Sequence, residues 1–337
     1  MKTKSVVLAL AVALFFSCQK DADAELNETS IDAKNKFALK FDVPNDGSVA
    51  KAVQSKLNSL SKKGNKGEIR VKSNQLAAIN SKLRKQNIAI ASIQGMNYGI
   101  PSVELIDEQF VLTLDRHWVQ NDPRNGGDNV VTYNSFTFAN FANGSIPTDA
   151  ISDDAFARWQ GLDCGNINIA RVPNNGVFNS TILFLNGENG IPVSDINTVG
   201  WLPGFVFDTL DGFSSTRTLA VAINFIWLDG DGNPTDIDGD GKLDSAYTEI
   251  WYNNNFNWAV NPTNNNAIDL ASVITHEQGH SLGLGHFGAL YEFSDGNGNS
   301  DFEYFPKAVM NAIYIEPNSN IDFTDEAGYC SNYLDWF

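Results

Sequence analysis

The segment "HEQGHSLGLGH", residues 276–286, holds three of the four histidines in a chain of 337 residues. Just upstream, Asp269 precedes a run in which Leu270, Val273 and Ile274 recur at helical spacing. The spacing predicts a helix from residue 270 to about 282, with Asp269 as its N-cap. Four residues advance a helix by about 400°, so His276 and His280 share one face and can reach one metal ion at about 2.0–2.1 Å. Glu277 sits one step round, where its carboxylate can act on water beside the metal as a general base. Gly283 is free to adopt the left-handed conformation that ends the helix sharply, and His286 then returns toward the metal as a third ligand. Three neutral nitrogens leave a fourth position open, as zinc sites that do chemistry require. Three His, one Glu and one Gly at these positions would arise by chance in roughly one such sequence in a million, so a helix with incidental histidines is a poor account of the segment.

These residues match the signature H-E-x-x-H-x-x-G-x-x-H, and the chain resembles the metzincin zinc endopeptidases. "AVMNAIY" at 308–314 is similar to the family's Met-turn, with Met310 beneath the metal and Tyr314 four residues on, a spacing like that of matrixins. "AYTEIWYNNNFNW" resembles the matrixin edge strand with its approach loop, and "FTDEAGYCSNY" resembles the final helix with its early acidic residue. The resemblance covers about residues 116–337. It implies an α/β fold with a twisted, mostly parallel sheet, an active-site helix carrying the zinc motif, and a loop-rich C-terminal subdomain ending in a helix. It also implies a protein or peptide substrate bound in extended form along an edge strand near Thr248–Tyr252. Tyr314 is a candidate donor to the developing oxyanion, with plain packing as the alternative. Two departures stand out. Phe287 follows the third histidine where matrixins usually have Ser, and residues 19–110 contain no cysteine to act as a matrixin cysteine switch. An inhibitory N-terminal region would then need a carboxylate such as Asp107 or Glu108 over the metal.

The acidic stretch "DGDGNPTDIDGDGKLD", residues 229–244, places Asp236, Asp238, Asp240 and Asp244 at near-alternate positions, with Gly241 at the turn. That is the first half of an EF-hand-like calcium loop, without the glutamate at its twelfth position, and it suggests a structural calcium staple. "DGNGNSD" at 295–301 is a weaker candidate of the same kind. His117 has no metal partner at local spacing and reads as structural or exposed.

The chain opens with Lys2 and Lys4 and an apolar run from Val6 to Phe16, too short to span a membrane, which reads as an export signal. "LFFSC" resembles the lipobox of bacterial lipoproteins, with Cys18 as the lipidated residue. "CQKDADAE" is similar to a surface-export signal, which implies an outer-membrane or cell-surface lipoprotein touching the membrane through its lipid alone. Removing Cys18 leaves Cys164 and Cys330, a candidate disulfide in an oxidising compartment. The expected organisation is a signal peptide at 1–17, a flexible tether at 18–36, a small N-terminal domain or propeptide at 37–114, and a catalytic domain at 115–337. The smaller unit carries predicted helices near 51–60 and after Ser73.

Residues 1–110 hold 16 Lys/Arg against 11 Asp/Glu, whereas residues 111–337 hold 7 against 29, for a net charge of −17. So acidic a body repels phosphate backbones and argues against nucleic acid as a partner. No internal repeat is evident, and a monomer is the expected state. The reading is a zinc-dependent endopeptidase. The alternative is a surface binding or adhesion lipoprotein with a structural or vestigial zinc, which would have no need of the base Glu277 and would favour four protein ligands over three.

Overall fold

Runs of β-branched and aromatic residues supply the strands, and two polar–apolar repeats at helical spacing supply the layer packed on them. In a computed structural model of the chain, the described residues are 88–98, 108–135, 146, 148–173, 194–210, 213–263, 267–294, 300–334 and 336. The export signal, Cys18, the tether, the helices expected near 51–60 and after Ser73, Asp107 and most of "DGNGNSD" lie outside them.

In chain order the elements are β1 (Ile88–Gln94), β2 (Asn97–Tyr98), β3 (Glu108–Phe110), β4 (Arg116–His117), β5 (Val130–Asn134) and helix α1 (Thr148–Gln160). There follow β6 (Asn168–Arg171), β7 (Ile196–Leu202), β8 (Ala220–Trp227), β9 (Leu243–Asn253), β10 (Trp258–Ala259), β11 (Ile268–Asp269) and helix α2 (Leu270–Ser281). The chain ends with β12 (Phe287–Ser294), β13 (Ser300–Phe305), β14 (Ile313–Tyr314) and helix α3 (Phe323–Tyr333).

The main sheet runs in the order β1-β8-β9-β7-β5-β6, with β4 pairing to β9 off that path. β9, β7, β5 and β6 are mutually parallel, while β8 is antiparallel to β9 and β1 antiparallel to β8. This is the mostly parallel sheet expected. β7, β8 and β9 are buried along nearly their whole length, so "INTVGWL" and "AVAINFIW" show no strict alternation of polar and apolar residues. Each fully buried aliphatic or aromatic side chain there stabilises the fold by about 1.5–3 kcal/mol.

Three expectations are corrected. β9 contains Thr248–Tyr252 and is interior, flanked by β8 and β7, so it is not an exposed edge. Its polar residues are satisfied internally: Thr248 Oγ1 donates to Asn224 at 3.0 Å, and Glu249 accepts from the Tyr247 hydroxyl and the Trp251 indole, each at 3.1 Å. Ala155, Phe156 and Trp159 at helical spacing predict a helix over 152–160 with Ser152 as N-cap, whereas α1 begins at Thr148, and Ser152 lies within it and accepts from the Gln278 amide of α2 at 3.0 Å. Residues 88–114, expected in a separate small domain, supply β1, β2 and β3, which pair with β8, β14 and β12 of the body.

α2 packs against β8, β9 and α1, and α1 also touches β6. The Trp159 indole of α1 donates to the Thr275 carbonyl of α2 at 3.0 Å, and its ring stacks on Tyr329 of α3 at 6.1 Å between centroids. Cys164 and Cys330 form a disulfide that ties the loop after α1 to α3. Among the described residues, no helix is long and apolar enough to cross a membrane.

Candidate active site

α2 starts as the sequence predicts. The Asp269 carboxylate accepts from the Ser272 N–H at 2.9 Å, and the helix carries His276, Glu277 and His280 fully buried on its inner side. Gly283 adopts φ +85°, and a Cβ there would strike the Arg116 carbonyl, so both the backbone angle and the space demand glycine. The returning chain is clamped by residues 111–114. Leu114 N–H donates to the Gly283 carbonyl at 2.8 Å, and Val111 N–H donates to the His286 carbonyl at 2.9 Å. His286 is thereby brought back to the other two, and the three side chains offer ligand atoms within 4.8 Å of one another.

Each imidazole is oriented through Nδ1. His276 donates to the Val309 carbonyl at 2.7 Å, His280 to the Leu284 carbonyl at 2.8 Å, and His286 to Gln109 Oε1 at 3.0 Å. With the protons committed at Nδ1, the Nε2 lone pairs are left for a ligand. His276 Nε2 is buried with no hydrogen-bond partner, and the Nε2 atoms of His280 and His286 lie 3.0 Å apart. Two facing lone pairs at that distance repel unless a cation lies between them. Burial lowers the His276 pKa to about 4, and burial with the neighbouring histidines holds His280 well below 6.5; burial, then His276, does the same for His286. At neutral pH all three are therefore neutral ligands. An all-nitrogen, three-imidazole set of this kind fits zinc.

Glu277 Oε1 accepts from the Met96 N–H at 3.2 Å, while its Oε2 is buried without a partner. Burial pushes this carboxyl well above its ordinary range. It is thus a basic group when ionised and a ready proton carrier.

Met310 lies under α2. A Cβ at Gly279 would strike Met310 Sδ, so the glycine lets the methionine approach the helix backbone between His276 and His280 in sequence. The turn is held from α3. Asp325 accepts from the N–H groups of Val309 at 2.9 Å, Met310 at 3.1 Å and Asp322 at 3.0 Å.

Other expected residues fall elsewhere. The Tyr314 hydroxyl accepts from the Asp269 N–H at 3.0 Å, at the N-terminal end of α2. His276 lies seven residues further on, about 10 Å along the axis. The structure therefore gives this hydroxyl a role at the start of the helix rather than on an oxyanion. Asp236 and Asp238 come within reach of Asp244, but Asp244 already accepts from Arg124 at 2.7 Å and from the Ile237 N–H at 3.2 Å. His117, buried, sets Nε2 3.3 Å from Asp238 and 3.6 Å from Asp240.

Sequence reasoning missed Gln109, Met96 and Arg116. Fully buried Arg116 donates to the His280 carbonyl and to Ser245 Oγ at 2.9 Å, and steadies the C-terminal turn of α2. Its place directly before His117 in "RHW" carried no local sign of this. Gln109 sits 177 residues from its histidine.

Residues 212–291 match the matrixin family. The matched stretch runs from before β8 into β12, includes all three histidines and Glu277, and supports a matrixin-like zinc metallopeptidase in general terms. No curated protein matches the chain.

Proposed function

We propose that this chain is a zinc-dependent endopeptidase that hydrolyses peptide bonds of extracellular proteins or peptides. The observation that carries the reading is Glu277. A buried carboxylate with one unpartnered oxygen, next in sequence to the first of three metal-competent imidazoles, has a use in hydrolysis and none in a structural site. His276, His280 and His286 would hold the zinc. When bound, zinc polarises a substrate carbonyl and makes water more acidic. Glu277 takes the proton of the attacking water and delivers it to the departing amine. Met310 and Asp325 act from below, as positioning residues for His276. Gln109 fixes the ring of His286 in the same way.

Export, lipidation at Cys18 and a cell-surface location belong to this reading, and rest on the N-terminal sequence. A calcium ion among Asp236, Asp238, Asp240 and Asp244 would staple the acidic loop; calcium-dependent protection of that loop from proteolysis is the check.

The decisive experiment compares the zinc-loaded chain with Glu277→Ala on a generic protein substrate. General-base removal should cost at least about 100-fold in turnover with zinc still bound. Equal turnover, or none in either chain, would reject the reading.

A further inference from the structure

The mechanism above leaves one contact unexplained: the partner of the catalytic carboxylate is a peptide nitrogen of the chain itself. Residues 88–98 lie along the site in extended form. β1 runs antiparallel to β8, covering what would otherwise be the open edge of the main sheet, and β2 continues parallel to β14 on the other side. Between them the chain is gripped at successive groups. The Met96 N–H donates to Glu277 at 3.2 Å, the Met96 carbonyl accepts from the Leu219 N–H at 2.8 Å, and the Asn97 N–H donates to the Ala312 carbonyl at 3.1 Å. Met96 is buried in the main core. Gly95 lies so close to β8 that a Cβ would stand 2.6 Å from the Ala220 carbonyl and 2.8 Å from the Val221 side chain.

A backbone held between two strands, with its side chain buried on one side of a bond and no room for a side chain on the other, is held as a protease holds a substrate. The atom offered to the general base is the amide nitrogen, the one that must receive a proton as a peptide bond breaks. Its distance lies at the edge of the roughly 2.6–3.2 Å over which such a transfer operates. Glu277 Oε1 faces that nitrogen, while Oε2 has no partner and is available to water.

We propose that the Gly95–Met96 peptide bond is a substrate of the chain's own active site, so that the segment ending at Gly95 is cut from the protein that carries it. This rests on the endopeptidase reading above. In the step, water adds through oxygen to the Gly95 carbonyl carbon and gives one proton to Glu277. The carbon–nitrogen bond breaks, and Glu277 passes that proton to the Met96 nitrogen. The second proton of the added water then passes from the new carboxyl group to the amine, so the products are a Gly95 carboxylate and an ammonium on Met96, with no change of oxidation state. Until the cut the segment occupies the cleft and competes with other substrates. The same geometry defines the class of external substrate: an extended peptide with glycine before the cleaved bond and an unbranched apolar residue after it.

The test follows the full-length zinc-loaded chain by intact mass and N-terminal sequencing, beside Glu277→Gln and Gly95→Val. The expected result is a new N-terminus at Met96 in the parent, none in Glu277→Gln, and at least tenfold slower appearance in Gly95→Val. Hydrogen exchange on uncut Glu277→Gln should show the Met96 and Asn97 amides slowed at least 100-fold against their unstructured rates. A synthetic peptide of residues 88–98 is supplied to the parent as an external substrate. If the parent cuts a generic protein but leaves Gly95–Met96 whole, in itself and in the peptide, the inference is overturned and the endopeptidase stands. Equal cutting of Glu277→Gln, or Met96 and Asn97 amides that exchange at unstructured rates, overturns it as well. If the parent cuts nothing at all, the endopeptidase reading fails first.

Discussion

Nδ1 of His276 donates to the carbonyl oxygen of Val309 at 2.7 Å, and that carbonyl belongs to a turn whose Val309 and Met310 N–H groups are both held by the Asp325 carboxylate. A ring on α2 is therefore aimed from α3, through a turn that also places Met310 beneath the helix. Supports of this kind set ring orientation and ligand basicity as much as the ligating atom does.

Asp325→Ala is the direct probe of that relay. It strips the buried N–H groups of Val309 and Met310, and the half-buried one of Asp322, of their acceptor. The expected loss is about 3 kcal/mol or more in denaturant melts, because hydrogen bonds to a charged group are worth roughly 1.5–3 kcal/mol each and the losses overlap. Zinc affinity should also weaken, by about 10–100-fold. Wild-type affinity in this variant would show that the turn aims itself.

Gly283→Ala tests the turn that returns His286. At φ +85° an L-residue is strained by roughly 1–2 kcal/mol. The added methyl also meets the backbone carbonyl of Arg116, which cannot move without disturbing β4. The variant should lose about 2–5 kcal/mol in total, including about 1–3 kcal/mol from overpacking, and bind zinc poorly. Thermal melts with and without zinc would show it, since the stabilisation that zinc gives should shrink along with the affinity.

The relation between these residues and the sequence is uneven, for physical reasons. His276, Glu277, His280, Gly283 and His286 are set by a helix repeat and one turn, so their geometry follows from spacing within eleven residues. Asp269 as a cap was legible for the same local reason. Strand order was not. The likeness to a matrixin edge strand put Thr248–Tyr252 at an edge, yet Thr248 and Glu249 find partners on β8 and within β9 itself, in the interior. Gln109 and Met96 meet the site across 177 and 181 residues, where no spacing rule reaches. The EF-hand-like pattern put Gly241 at a turn, and that residue takes φ +90°. It could not reveal that Arg124, 120 residues away, takes the last of its four carboxylates.

The Cys164–Cys330 bond closes a loop of 166 residues around the catalytic helix. In the chain-entropy model such a closure stabilises by roughly 5 kcal/mol, an upper figure since measured effects often fall short. Replacing both cysteines by serine should lower stability by about 2–5 kcal/mol. Zinc binding at 25 °C should persist in the variant if it remains folded, because neither cysteine touches a histidine. Equilibrium unfolding under oxidising and reducing conditions separates the two chains: reduction should move the parent to the variant's midpoint and leave the variant where it was.

The pH dependence follows from the three imidazoles. Burial holds the His276 pKa to about 4 in the folded chain against 6.5 in an exposed imidazole, and His280 and His286 shift the same way. A lowered folded pKa means that folding favours the neutral form. Its contribution to stability is full above pH 6.5 and is lost as pH falls toward 4, at about 1.4 kcal/mol per pH unit for each histidine. The buried acids run the other way. Burial raises the pKa of Asp325 to about 7 and pushes Glu277 well up, so each favours the fold more as pH falls below 7. The opposing signs make the melting temperature a poor reporter, and zinc content the useful one. Neutral nitrogens persist in the folded site well below pH 6.5, so proton competition should not displace zinc at pH 6. Zinc retained at pH 6 and released between pH 6 and 4, measured with a chelating indicator, is the expected result. Loss centred at pH 6.5 would mean that the three rings titrate as exposed imidazoles, contrary to their burial.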